Sequence, residues 1–269
     1  MTAAFAEVIG DPIAQSKSPA IHNFWLGKLG LAGAYGRCEV RADGLASYLE
    51  GRRADEAWRG CNVTMPHKQA IMPLLDRLDP VAARIGAVNT VVREGGGMAG
   101  YNTDAAGFLE PLRDLLGAAR AIVAALAGEG FVIVLAGRDP AKARALLDEL
   151  APDGEHHAVD IARFADPTDF AFDDREACLD LVVNASPLGM AGQPPLAFDL
   201  SHAPPRSVVY DIVTHPLETP LLVAARDAGF RTVDGLAMLI GQAAIAFAQF
   251  FGCPPPREHD AELRALLTS

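Results

Sequence analysis

Apolar and polar positions along this chain alternate between two rhythms. Residues 3–9 form a short apolar run that stops at Gly10-Asp11-Pro12, which predicts a strand and a turn. A helical rhythm then runs from Ser18-Pro19 to Leu29, with Ser18 expected as N-cap and Pro19 as first helical residue. Further strands are predicted at Ala34–Val40, Trp58–Thr64 and Ala87–Arg93. Helices are predicted at Gly44–Gly51, from Pro66 through His67 and Lys68, and at Val81–Ile85, with a hairpin turn at Glu94–Gly97. This alternation is that of an α/β layer domain.

The rhythm changes after Asn102-Thr103. Asp104–Leu116 is amphipathic and helical, Gly117–Gly130 an Ala-rich helix, and Phe131–Ala136 a strand of buried type. Helices are predicted at Asp139–Leu150, Thr219–Gly229, Gly235–Gly252 and Glu258–Leu267. Strands are predicted at Leu179–Asn184, Val208–Val213 and Phe230–Val233. Strands alternating with helices over 117–233 predict a doubly wound parallel sheet.

Composition narrows the function classes. The 269 residues are 50% hydrophobic and 21% charged, enough apolar material for one or two cores. A net charge of -11 disfavours a phosphate-backbone partner, so no nucleic acid is expected. No apolar run reaches the length of a membrane span, and the N-terminus has no basic segment before Lys17, so a cytoplasmic chain is expected. Cys38, Cys61, Cys178 and Cys253 lie far apart and read as thiols, with no metal site and no disulfide frame. From Asp148 to Asp180 there are eleven acidic and two basic residues, read as a solvated face on which His156 and His157 lie at the surface.

Three polar clusters end predicted strands: Asn62-Val63-Thr64-Met65-Pro66-His67-Lys68, Ala87-Val88-Asn89-Thr90 and Tyr101-Asn102-Thr103-Asp104. Carboxyl ends of strands are where α/β sheets bind small polar ligands. Ser16 and Ser18, flanking Lys17 before a helix, suit a carboxylate.

These clusters, with Gly10-Asp11-Pro12-Ile13, Asn184-Ala185-Ser186-Pro187-Leu188-Gly189-Met190 and Asp234-Gly235-Leu236-Ala237-Met238-Leu239-Ile240-Gly241-Gln242, resemble the shikimate dehydrogenase family, in family order and across nearly the whole chain. The resemblance implies reversible reduction of 3-dehydroshikimate to shikimate with NADP, a step toward chorismate and aromatic amino acids, by a monomer or homodimer. It implies a substrate domain of residues 1–103 completed by 235–269, and a Rossmann-like nucleotide domain of 104–234. Lys68 and Asp104 match the catalytic acid/base pair, which moves the alcohol proton as the hydride leaves. Ser16 and Ser18 would hold the carboxylate, and Thr64, Asn89 and Gln242 the ring hydroxyls. Gly117, Ala118, Gly137, Arg138, Asp139, Lys142, Ser186, Ile212, Gly235 and Met238 would face the cofactor. Arg138 and Lys142 suit the 2′-phosphate of NADP, whereas Asp139 suits a bare ribose.

The chain departs from the family in three places. Gln15 stands where histidine is frequent, and Thr214 replaces the second tyrosine of a Tyr-Asp-x-x-Tyr motif, which leaves quinate or an amino analogue open as substrate. More consequentially, only Gly117-Ala118-Ala119-Arg120-Ala121 remains of the glycine turn, and residues 105–130 contain no strand-like run. The first Rossmann strand is therefore absent from the sequence. Two accounts stay open: the natural chain carries a segment that is missing here, or the nucleotide domain is rearranged and keeps only small-molecule binding or sensing.

Overall fold

The computed structural model describes residues 3–116, 132–168, 181–205 and 207–269. The predicted helix over 117–130, Gly117, Ala118, Phe131, Cys178, Leu179 and the acidic residues at 169–180 lie outside them. The chain divides into two compact units, Met1–Gly107 with Ile240–Ser269, and Phe108–Leu239.

The first unit is built on a six-stranded mixed sheet. Its strands are β1 (Ala4–Gly10), β2 (Gly33–Glu39), β3 (Trp58–Val63), β4 (Arg77–Leu78), β5 (Thr90–Glu94) and β6 (Gly97–Tyr101), in the order β2-β1-β3-β5-β6-β4. β1 runs parallel to both β2 and β3, and β5 runs antiparallel to β3 and β6. β1 is buried on both faces, as a central parallel strand requires. Ala6 and Val8 face one core with Tyr35, Val92, Ala246 and Phe250. Ile9 faces the other, with Trp58, Ile71, Val88 and Val91. Glu7 is buried too; its carboxylate accepts from Tyr48 Oη and Arg52 Nε, each at 2.7 Å, and from Trp58 Nε1 at 3.1 Å. Four donor groups around one carboxylate compensate its desolvation, counting the second Arg52 nitrogen.

Helices α1 (Ser18–Leu29), α2 (Leu45–Ala54), α3 (His67–Ala70), α4 (Pro80–Ile85), α5 (Asp104–Leu116) and α6 (Pro140–Leu150) follow in chain order. They are joined by α7 (Pro220–Asp227), α8 (Gly235–Phe251) and α9 (Asp260–Thr268). Ser18 is the first residue of α1, not its N-cap: Lys17 holds that position and makes no side-chain cap. β5 starts three residues later than expected because Ala87–Asn89 form a loop whose backbone is tied to Lys68 and Tyr101.

The second unit contains β7 (Val134–Gly137), β8 (His157–Asp160), β9 (Leu181–Asn184), β10 (Val208–Asp211) and β11 (Arg231–Val233). All pairings are parallel, as the predicted doubly wound sheet requires. Among the described residues they form two sheets, β7-β8 and β11-β10-β9. In a 3-2-1-4-5-6 sheet these are the pairs 3-2 and 4-5-6, and strand 1 joins them. That is the strand the sequence lacks ahead of Gly117. β8 lies inside the acidic stretch, where no strand was expected. His156, expected at the surface, is buried; its Nδ1 accepts from the Ile133 backbone N–H. His157 is exposed.

Among the described residues no helix is long and apolar enough to cross a membrane.

Candidate active site

The site is assembled where three loops are stitched by backbone hydrogen bonds. β3 ends at Val63, whose N–H donates to Asn89 O at 2.7 Å. Pro66 then turns the chain into α3, which carries Lys68; the Lys68 carbonyl accepts from Val88 N at 2.8 Å. β6 ends at Tyr101, and Asn102 caps the entrance to α5. Its Oδ1 accepts from Asp104 N at 3.1 Å, and its Nδ2 donates to Ala87 O at 3.0 Å. Each loop is thereby fixed to another, and the two charged groups they carry meet: Lys68 Nζ donates to Asp104 Oδ2 at 2.6 Å. Both side chains are about one-third exposed, at 34% and 28%, so the pair is reachable from solvent. Asp104 sits at the start of α5, where the helix dipole favours its carboxylate.

Beneath the pair runs a buried polar chain. Tyr35 Oη donates to Asn62 Oδ1 at 2.5 Å, and Asn62 Nδ2 to Thr90 Oγ1 at 3.1 Å. Thr90 Oγ1 donates to Asn89 Oδ1 at 3.1 Å, which also accepts from Thr103 N at 2.7 Å. Asn89 Nδ2 donates to Thr103 Oγ1, and Thr103 Oγ1 reaches Gln242 Oε1 at 3.5 Å. Asn89 and Gln242, both expected to bond substrate, are thus held at set rotamers by neighbours in the interior. Thr90 and Thr103 belong to two of the polar clusters read from the sequence but were given no role there, and Tyr35 was not singled out. Their signal is a phenol and two hydroxyls on strands or strand ends that are otherwise apolar.

Gly107 lets the chain carrying Asp104 approach Gln242 closely: a Cβ there would stand 2.3 Å from Gln242 N. Thr64 is half-buried beside α3. His67 is buried, and its Nε2 lies 2.6 Å from Val40 O, so it braces the loop. On the approach to α1, Ser16 Oγ accepts from Ser18 N at 3.3 Å. Lys17 Nζ donates to Leu267 O at 2.9 Å.

Of the residues expected to face a cofactor, those described lie at strand ends of the second unit or in the first turns of its helices α6 and α8. Gly137 ends β7, and Arg138 and Lys142 are exposed just beyond it. Asp139, read as a ribose ligand, is the N-cap of α6: its Oδ1 accepts from Ala141 N and Lys142 N. Lys142 Nζ also lies 3.8 Å from Asp139 Oδ2, so a carboxylate stands beside the two exposed cations at this strand end. Ser186 Oγ donates to Asn184 Oδ1 at 2.7 Å, and Asn184 Nδ2 to Asp211 Oδ1 at 3.0 Å. Asp211 is fully buried and also accepts from Thr219 Oγ1 at 2.7 Å, fixing the ends of β9 and β10. Ile212 and Met238 pack on one apolar cluster with Phe108 and Tyr210. Gly235 opens α8 against Ile212, where a Cβ would stand 2.4 Å from the Ile212 carbonyl oxygen.

A substrate-type α/β unit bearing a Lys–Asp pair, and a unit of parallel strands with cations at a strand end, define the two-domain architecture of nucleotide-linked α/β proteins. Residues 8–91 match the shikimate dehydrogenase substrate binding domain, and residues 235–262 the shikimate 5′-dehydrogenase C-terminal domain. The chain is 53% identical over 280 residues to the shikimate dehydrogenase (NADP(+)) of Sphingopyxis alaskensis, covering 98% of this chain and 97% of the relative. Among solved structures it is similar to the shikimate 5-dehydrogenase of Thermus thermophilus in complex with NADP(H) and shikimate. That match has 34% identity, a TM-score of 0.80, and coverage of 98% of this chain and 99% of that one. It is also similar to ligand-free 5-ketofructose reductase of Gluconobacter sp. strain CHM43, with 28% identity, a TM-score of 0.84 and 99% of both chains covered. The chain belongs to the shikimate dehydrogenase family. The alignment with the Sphingopyxis relative is longer than the 269-residue chain, so the relative carries residues with no counterpart here.

Proposed function

We propose that the chain is an NADP-dependent dehydrogenase that interconverts 3-dehydroshikimate and shikimate. The observation that carries this reading is the 2.6 Å contact between Lys68 Nζ and Asp104 Oδ2, on loops that also carry Thr64, Asn89 and Thr103. A secondary alcohol gives up its carbon-bound hydrogen only as its hydroxyl proton leaves. Lys68 takes that proton as the neutral amine in oxidation and returns it as the ammonium in reduction, and Asp104 holds the group in place. Such acid/base assistance contributes about 10²–10⁴ in rate. Asn89, Thr64 and Gln242 bond the ring hydroxyls, and Ser16 and Ser18 the carboxylate. Arg138 and Lys142 would hold the 2′-phosphate, and Ser186, Ile212, Gly235 and Met238 would line the nicotinamide, which when bound supplies hydride exchange with the substrate carbon.

The substrate is a small molecule. The enzyme works in the cytoplasm as a monomer or homodimer, in keeping with the thiols of Cys38, Cys61 and Cys253. The test is NADPH formation followed by its absorbance, with shikimate, quinate and NAD as alternatives. A kcat/KM highest for shikimate with NADP supports the reading, and no turnover of either acid refutes it.

The broken glycine turn, kept in the sequence as Gly117-Ala118-Ala119-Arg120-Ala121, favours a second reading, a shikimate binder whose nucleotide site is impaired. NADP at 100 times its dissociation constant adds about 2.7 kcal/mol to a protein that binds it. Stabilisation by shikimate without any by NADP would select the binder.

A further inference from the structure

The loop that carries Ser16 and Ser18 is braced from the sheet by an arginine. Arg37, on β2, donates through both Nε and Nη2 to the Ser16 carbonyl oxygen, at 3.2 and 2.6 Å. Two donors of one planar guanidinium converge on that single oxygen and hold it in place. Ser16 Oγ in turn accepts from Ser18 N, so the brace reaches both serines. The other cation of the loop, Lys17, is turned away onto the last turn of α9, where it donates to the Leu267 carbonyl. Arg37 is exposed and has no carboxylate partner among the described residues. Its charge therefore stands at the backbone of the loop that carries the two serines.

We propose that Arg37 is a positioning and specificity-determining residue for the anionic end of the substrate. It fixes the Ser16–Ser18 loop and sets a positive potential there, so that a carboxylate is preferred to a neutral polyol. The proposal rests on the dehydrogenase reading above and deepens it.

The test is steady-state kinetics of the intact protein and of Arg37→Ala and Arg37→Lys, with shikimate and with its methyl ester, at low and high NaCl. Arg37→Ala is expected to raise KM for shikimate about tenfold and to leave kcat within about twofold, the signature of lost binding that is uniform along the reaction. Arg37→Lys keeps the charge without the fork and recovers part of the loss. Wild-type kcat/KM for shikimate falls as salt rises and that of Arg37→Ala is flatter, because screening acts on the charge. For the ester the variants and the wild type converge. A KM for shikimate in folded Arg37→Ala equal to wild type, or equal losses on acid and ester with unchanged salt dependence, would overturn the proposal while leaving the dehydrogenase reading intact. A wild-type protein that turns over no acid would sink that reading and the proposal with it.

Discussion

Acidification from pH 7 to pH 5 will weaken the first unit through His22. This side chain is fully buried on α1, stacked on Tyr35 at 4.0 Å between ring centroids and bounded by Trp25, Phe247 and Phe250. Neither ring nitrogen has a hydrogen-bond partner among the described residues. Burial lowers its pKa from 6.5 to about 3, so the folded protein keeps it neutral. Between those values the unfolded chain holds a proton that the folded one does not, and stability rises with pH. The contribution is complete above pH 6.5 and is lost as pH falls from 6.5 toward 3.

Over the step from pH 7 to pH 5 the loss is about 2 kcal/mol, since each unit of pH inside the window is worth about 1.4 kcal/mol. Asp76, Asp199, Glu218 and Glu262 have lowered values through hydrogen bonds to Arg53, Ser201, Arg226 and Lys28 respectively. Their stabilisation is present above the ordinary carboxylate range and disappears at lower pH than this step. The assay is urea unfolding at both pH values, read by fluorescence of the buried Trp25 and Trp58, for wild type and His22→Phe. The wild type should lose about 2 kcal/mol more than the variant. Equal losses would refute the assignment of the acid sensitivity to His22.

Two further outcomes follow from packing. Gly107→Ala drives a Cβ to 2.3 Å from the Gln242 backbone nitrogen. Overpacking of this kind costs roughly 1–3 kcal/mol, visible as a lower Tm, and shifting Gln242 should also raise KM for shikimate. Glu7→Gln removes the counter-charge of Arg52, whose side chain is 26% exposed. With that exposure discounted, the loss should be about 2 kcal/mol by urea titration.

β1, β2, β3 and β5 of the first unit were legible in the sequence, β1, β3 and β5 as largely apolar runs closed by Gly or Pro, whereas the two-residue β4 and the Gly-rich β6 were not read as strands. The three polar clusters were legible because hydroxyls and amides at strand ends break that pattern. What pairs them was not: Val88 N–H on the Lys68 carbonyl and Arg37 on the Ser16 carbonyl are contacts to backbone, which leaves no trace in side-chain type. β8 was missed because its apolar core is only Ala158-Val159 between charged or polar neighbours. His156 was misplaced for the same reason, since its acidic neighbours suggested a solvated face. Ser18 looked like an N-cap by residue type, but Lys17 already has helical dihedrals and takes the cap position, so Ser18 falls inside the helix. No apolar run for a first Rossmann strand was legible ahead of Gly117, and the residues that follow it, 117–131, lie outside those described.

Turnover of Lys68→Ala bears most directly on the central claim. With shikimate and NADP, its kcat should fall at least about a hundredfold below wild type while its Tm stays close to the wild-type value. A folded Lys68→Ala protein that oxidises shikimate at near wild-type rate would contradict the assignment of the Lys68–Asp104 pair to proton transfer.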